Sequence, residues 1–195
     1  PIESLANGVH HSSRRFEIGS LSLQPEFANQ LDFSYEFANE HVSLIINPYI
    51  SIIRNYVYVA FTDSTINGYP VVNYKQNELT YFYGGEATFH YHPHFLHNLH
   101  LESNFSYLFA ENNSNLPISS VPQPKLMTLI TYDIKSKSQF IPKSFAIQNS
   151  YFAEQLRVIT NEIPTEAYNL LDLGAYWEIK TEKLKGTLKV GARNI

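Results

Sequence analysis

Histidine is the residue type with the widest chemical reach in this chain. There are eight, and five of them, His90, His92, His94, His97 and His100, fall within eleven residues. Imidazole nitrogens bind Zn, Cu, Fe and Ni, so this density raises the question of a metal site. The spacing argues against one on extended backbone. His90 and His92 point the same way but stand ~6.6 Å apart along a strand, and His92 to His100 straddles a short connection. We expect solvated turn or lumen histidines and no metal site. His10-His11 forms a second pair in a long loop. Neighbours on an extended chain point oppositely, so these two imidazoles converge on a metal or metal chelate only through a turn.

Carboxylates offer the other route to chemistry. Asp32, Glu36, Glu86, Glu102, Asp172 and Glu178 share a polar face with Arg193. A water-filled lumen needs such residues for solvation alone, and no catalytic residue is expected. G-x-S-x-G, H-E-x-x-H and phosphate-loop motifs are missing. Gly84-Gly85-Glu86 lies in mid-strand with no following Lys. Without cysteine, disulfides, Cys-type zinc sites and thiol catalysis drop out. No cofactor is implied.

The elements that must carry these side chains are strands. Apolar and polar residues alternate with period 2, and helical spacing is nearly absent. Leu99, Leu101, Phe105, Tyr107 and Phe109 oppose His100, Glu102, Asn104 and Ser106. Leu31, Phe33, Tyr35 and Phe37 oppose Asp32, Ser34 and Glu36. The pattern predicts about eight antiparallel up-and-down strands, roughly 28–38, 41–57, 79–92, 97–110, 124–136, 141–155, 169–181 and 184–195. Short connections at 38–40, 92–96, 135–139 and 181–183 alternate with long ones at 58–78, 111–123 and 156–168. Long and short loops should therefore gather at opposite ends of one sheet.

Composition narrows the partners. The 195 residues suit one domain. A net charge of −4 excludes a strongly basic nucleic-acid surface. Charged residues are 16% against ~25% in ordinary soluble domains, while aromatics reach 14%. No run of ~18 apolar residues supplies a helical membrane span. Alternation alone fits two solvents: a soluble β-sandwich ligand-binding module buries its apolar face, and a membrane barrel turns it to lipid. Strand length, loop asymmetry and aromatic placement favour the barrel. Tyr81 and Tyr91 stand ten residues apart on the apolar face, which at ~40° tilt is ~25 Å of height, that of an outer-membrane apolar band.

The order of several short stretches resembles a known family. Gly8-Val9-His10-His11, Arg15-Phe16-Glu17-Ile18-Gly19 and Leu23-Gln24-Pro25-Glu26 come first. Asn47-Pro48-Tyr49, Arg54-Asn55-Tyr56-Val57-Tyr58, Gly84-Gly85-Glu86, Leu116-Pro117 and Val121-Pro122 follow. Gln155-Leu156-Arg157-Val158, Asn161-Glu162-Ile163-Pro164-Thr165, Val190 and Asn194 complete the series. Together they resemble TonB-dependent outer-membrane receptors across essentially the whole chain.

The resemblance implies part of a ~22-stranded outer-membrane β-barrel and transport without chemistry on the substrate. It implies TonB-dependent uptake of a scarce nutrient, an iron-siderophore or other metal chelate, at the bacterial outer membrane. The TonB energy-transducing complex, outer-membrane lipid and the chelate are the implied partners. Residues 1–195 match the C-terminal part of the family barrel, and the N-terminal plug and closing strands are expected outside this segment. Eight strands of a wide ring leave two unpaired edges, which lipid does not tolerate. Extracellular loops carry ligand recognition in this family. His10, His11, Tyr69, Tyr74, Gln76, Asn112, Asn113, Arg157 and Asn161 are therefore the expected ligand contacts.

Overall fold

The computed structural model describes residues 2–138, 140–160, 162–180 and 185–195. A four-residue helix, α1 (Ile2–Leu5), precedes the hairpin β1 (Asn7–His10) and β2 (Arg15–Ile18). Then come β3 (Phe27–Asp32), β4 (Tyr35–Ala38), β5 (Val42–Ile66) and β6 (Tyr69–Tyr91). A 3₁₀ turn at His94–Leu96 leads to β7 (Leu99–Asn112), β8 (Lys125–Asp133), β9 (Ser144–Phe152), β10 (Tyr168–Lys180) and β11 (Lys185–Ala192).

From β3 to β11 the strands form one antiparallel meander in chain order. β3 and β4 are a single passage along β5, interrupted opposite Asn47-Pro48. Phe33 N–H donates to the Pro48 carbonyl at 3.0 Å, and proline has no N–H to return. Six of the expected strands are found within a few residues, while those at 41–57 and 79–92 run nine and ten residues further, to Ile66 and from Tyr69. Residues 181–184, Gln139 and Asn161 lie outside the described residues.

The stretch 58–78 departs from its expected loop. β5 and β6 run on as a hairpin to Ile66↔Tyr69, turned by Asn67 (φ 52°) and Gly68 (φ 80°). Two successive positive-φ residues define the two-residue turn that Asn-Gly favours. A 25-residue strand is ~80 Å long, far beyond a ~25 Å apolar band even at ~40° tilt. About half of this hairpin therefore stands clear of the band.

Cross-strand partners share a face, so register reads out polarity. Leu101, Ile130, Ile147 and Leu173 form one row, and the last three remain 41–48% exposed. Among the described residues no second sheet covers this face, which does not favour the sandwich alternative. Glu102, Gln148 and Asp172 occupy the next row, on the opposite face. Full burial occurs elsewhere: Pro93 is fully buried at the β6–β7 turn, and Val71, Val72, Ala110 and Ile118 are at most 5% exposed at the long-loop end. Apolar burial there organises the loops.

Candidate functional site

At the long-loop end, three chain segments close over the sheet. The first is residues 2–26. β2 pairs in parallel with β6 through Phe16↔Val71 to Ile18↔Asn73, filling the edge of β6 above the point where β7 ends at Thr80↔Asn112. The turn holding His10 and His11 thereby comes beside Tyr69 and the 67–68 tip. The segment then crosses β5 as a strap. Gln76 grips it: its side-chain oxygen accepts the Gln24 N–H at 2.9 Å, and Nε2 donates to the Gln24 carbonyl at 2.6 Å and the Asn55 carbonyl at 2.7 Å. Asn55 sits in the left-handed region (φ 55°), which asparagine tolerates better than most residues. Its Nδ2 donates to the Pro25 carbonyl at 3.1 Å, and the Val57 N–H donates to Glu26 at 2.6 Å.

Glu17 anchors the strap from below. Arg15 Nε donates to one carboxylate oxygen at 2.9 Å and Tyr74 O–H to the other at 2.8 Å. Burial pushes the Glu17 carboxyl up, but these two hydrogen bonds and the Arg15 charge outweigh it and hold the group below its ordinary value. Burial together with the same carboxylate raises Tyr74.

The second and third segments, 113–124 and 153–167, hold each other. Ser120 N–H donates to Glu162 at 2.9 Å, and Gln155 Nε2 to the Val121 carbonyl at 3.1 Å. Arg157 pairs with Glu111 at 3.0 Å and lies 4.1 Å from the centre of the Phe109 ring. Asn112 Oδ1 accepts the N–H groups of Ser114 and Leu116, closing the turn after β7.

The expected contact residues thus divide. Tyr74, Gln76, Asn112 and Arg157 hold the loops in place. His10 is hydrogen-bonded to Ser12 and Ser13 at 3.0 and 2.9 Å. His11 and Asn113 are exposed and Tyr69 is half-buried. Tyr69, Tyr74 and Gln76 stand on β6 and not on a loop. Asn161 lies outside the described residues. Among the described residues, the structure does not gather these side chains into one site.

Beneath the loops it builds a different group. Glu86, Ser106, Lys125, Phe152 and Tyr168 are successive cross-strand partners from β6 to β10, on the polar face. Lys125 Nζ sits 5.1 Å from the Phe152 ring centre, and Phe152 stacks on Tyr168 at 4.6 Å. This row floors a cavity of about 610 Å³ roofed by residues 120–123 and flanked by Tyr49 and Gln155. An ammonium, a carboxylate and a stacked aromatic pair in one recess can hold a ligand that is both aromatic and charged. Sequence reading missed this row because its members are 16 to 27 residues apart. Only the alternation that put each on the polar face signalled it.

At the opposite end, the short turns gather the histidines. His92 Nδ1 and His100 Nδ1 are 3.1 Å apart, and His100 Nε2 lies 3.2 Å from Asp133 Oδ2. Desolvation and the neighbouring imidazoles of His100, His97, His90 and His41 hold His92 below the ordinary histidine value. Among the described residues, no three His, Asp or Glu side chains converge as a metal site.

A continuous meander, apolar on one face, with long loops folded over the polar face at one end, is the wall of a large β-barrel. The family described as TonB dependent receptor-like, beta-barrel matches residues 3–195, and the chain belongs to it. TonB-dependent receptors are transporters of the bacterial outer membrane and not enzymes. Copper transporter OprC superposes with a TM-score of 0.76 at 15% identity, over 89% of this chain and 26% of that one. The siderophore receptor PirA from Acinetobacter baumannii gives 0.63 at 11% identity, over 93% and 29%. The FrpB iron transporter from Neisseria meningitidis gives 0.59 at 10% identity, over 94% and 29%. The chain thus spans a little over a quarter of these solved receptors. No curated protein matches it in sequence.

Proposed function

We propose that residues 1–195 form part of the wall of an outer-membrane receptor that takes up a metal chelate, an iron-siderophore above all, with energy from TonB. In this reading the segment lies in the C-terminal half of a ~22-stranded barrel, with a plug and further strands supplied by the rest of the receptor. The observation that carries the ligand class is the row Glu86–Ser106–Lys125–Phe152–Tyr168 under its roof of loops. A ferric chelate of aromatic ligands offers faces for the Phe152–Tyr168 stack and negative charge for Lys125. His11 and Tyr69, beside the tip of the β5–β6 hairpin, are the first groups such a ligand meets; His10, Tyr74, Gln76, Asn112, Asn113 and Arg157 stand lower along the strands and loops, and Asn161 is a further proposed contact.

The test is accumulation of radiolabelled ferric catecholate and ferric hydroxamate siderophores, and of copper ion, by cells producing the complete protein. Accumulation of a ferric siderophore that requires TonB and weakens severalfold in Lys125→Glu is the expected result. Uptake that ignores TonB, or uptake of copper ion alone, overturns the reading.

A further inference from the structure

Six of the eight histidines, His41, His90, His92, His94, His97 and His100, belong to the short-turn end, and local histidine enrichment is a compositional mark of metal binding. We propose that His92 and His100 form a binding site for a divalent transition-metal ion of the zinc, nickel or copper type, oriented by Asp133. The site is separate from the transport reading, because it lies at the end of the wall away from the loops and needs no chelate.

Three geometric facts support it. First, the Nδ1–Nδ1 separation of 3.1 Å is close to the ~3.3 Å between two nitrogens that each bind one tetrahedral ion at ~2.0–2.1 Å. Second, the rings stand edge to face, centroids 4.4 Å apart at 76°, so an ion beside the N–N line reaches both without the rings colliding. Third, Asp133 Oδ2 is placed to accept a hydrogen bond from His100 Nε2–H at 3.2 Å, and its own N–H donates to the Asn98 carbonyl at 2.7 Å. A carboxylate on the far nitrogen keeps the proton there and leaves Nδ1 as the lone-pair donor, the arrangement that orients metal-binding imidazoles. Both histidines lie outside β6 or at the start of β7, where water completes the coordination that two imidazoles leave open. The sequence reading set this cluster aside on the His90–His92 spacing and because His92 to His100 straddles a short connection. The pair that converges, His92 with His100, is brought together by the β6–β7 turn.

The test uses the complete protein in detergent, stripped with EDTA and titrated calorimetrically with Zn²⁺ and Ni²⁺, with heat-modifiable gel mobility as the folding control. Saturable binding that weakens at least tenfold in His92→Gln and His100→Gln, and about tenfold in Asp133→Asn, is expected. Electron paramagnetic resonance of the unmutated protein with one equivalent of Cu²⁺ should resolve coupling to two imidazole nitrogens, whatever the variants do. Unchanged affinity in folded His92→Gln/His100→Gln, or a copper signal without that coupling, means the two rings share only a hydrogen bond and overturns the proposal.

Discussion

The two ends of the wall use polar side chains in opposite ways. At the long-loop end they are spent on the chain itself: Glu17 on Arg15 and Tyr74, Gln76 on Gln24 and Asn55, Arg157 on Glu111 and Phe109. All but the Arg15–Glu17 bond within β2 cross from one segment to another, so the chemistry there is architecture, and what remains for a ligand is the row on the strands below. At the short-turn end polar groups also fasten the turns, Asn39 on the His41 and Val42 N–H groups and Trp177 on the Phe140 carbonyl, but the imidazoles of His92 and His100 turn toward each other. A conspicuous polar residue on a long loop is therefore as much a strut as a contact, while His92 and His100 at a tight turn bring two ring nitrogens to one point.

Substitutions can break or sharpen this contrast. The largest effect belongs to Gly84→Val, in the wall between the two ends. A side chain at Gly84 would meet the Tyr107 carbonyl and neighbouring backbone of β7, and backbone cannot move aside as a side chain can. Overpacking of this kind costs about 3 kcal/mol, and both ends should loosen together, seen as loss of the heat-modifiable gel species.

Glu17→Ala comes next and should affect one end only. It removes two charge-assisted hydrogen bonds, about 2 kcal/mol, so proteolysis within residues 2–26 should quicken while gel mobility of the barrel stays as it was. The same latch has a pH signature. Because the Glu17 carboxyl is held below its ordinary value, its contribution is complete above the ordinary carboxylate range and is lost as the pH falls through the lowered value. Protease sensitivity of the strap should therefore rise only in acid, and Glu17→Gln should abolish that rise.

Gln76→Ala frees the Gln24 backbone at a cost of about 1 kcal/mol, read as faster hydrogen exchange at the Gln24 amide. Arg157→Ala loses a half-exposed ion pair and a ring contact, about 0.5 kcal/mol, with a small rise in exchange across 155–160. His100→Gln stands last. It should leave both stability readouts unmoved and alter metal titration alone; a stability loss comparable to Glu17→Ala would mean the short-turn end is architecture too, and the contrast would fall.

The sequence by itself determined the eight strands of the meander, their order and their two faces, but not the β1–β2 hairpin or its parallel docking on β6. Alternation does this because side chains on extended backbone point to opposite sides, so Leu101 and Glu102 part company wherever the strand lies. It also located the two ends, since the length of each connection is written in the chain. Asn67-Gly68 was equally legible as a hairpin turn, but the polar residues around it read as a loop because nothing local says that a strand continues beyond the membrane band. What only the tertiary structure decided is adjacency across strands. Lys125 reaches Phe152 and Tyr168 through the register of β8, β9 and β10, and the strap finds Gln76 across 52 residues of chain. His92 meets His100 rather than His90 because a turn reverses direction while a strand does not. Register is set by the summed pairing of whole strands and by where each turn begins, and no single residue encodes that sum.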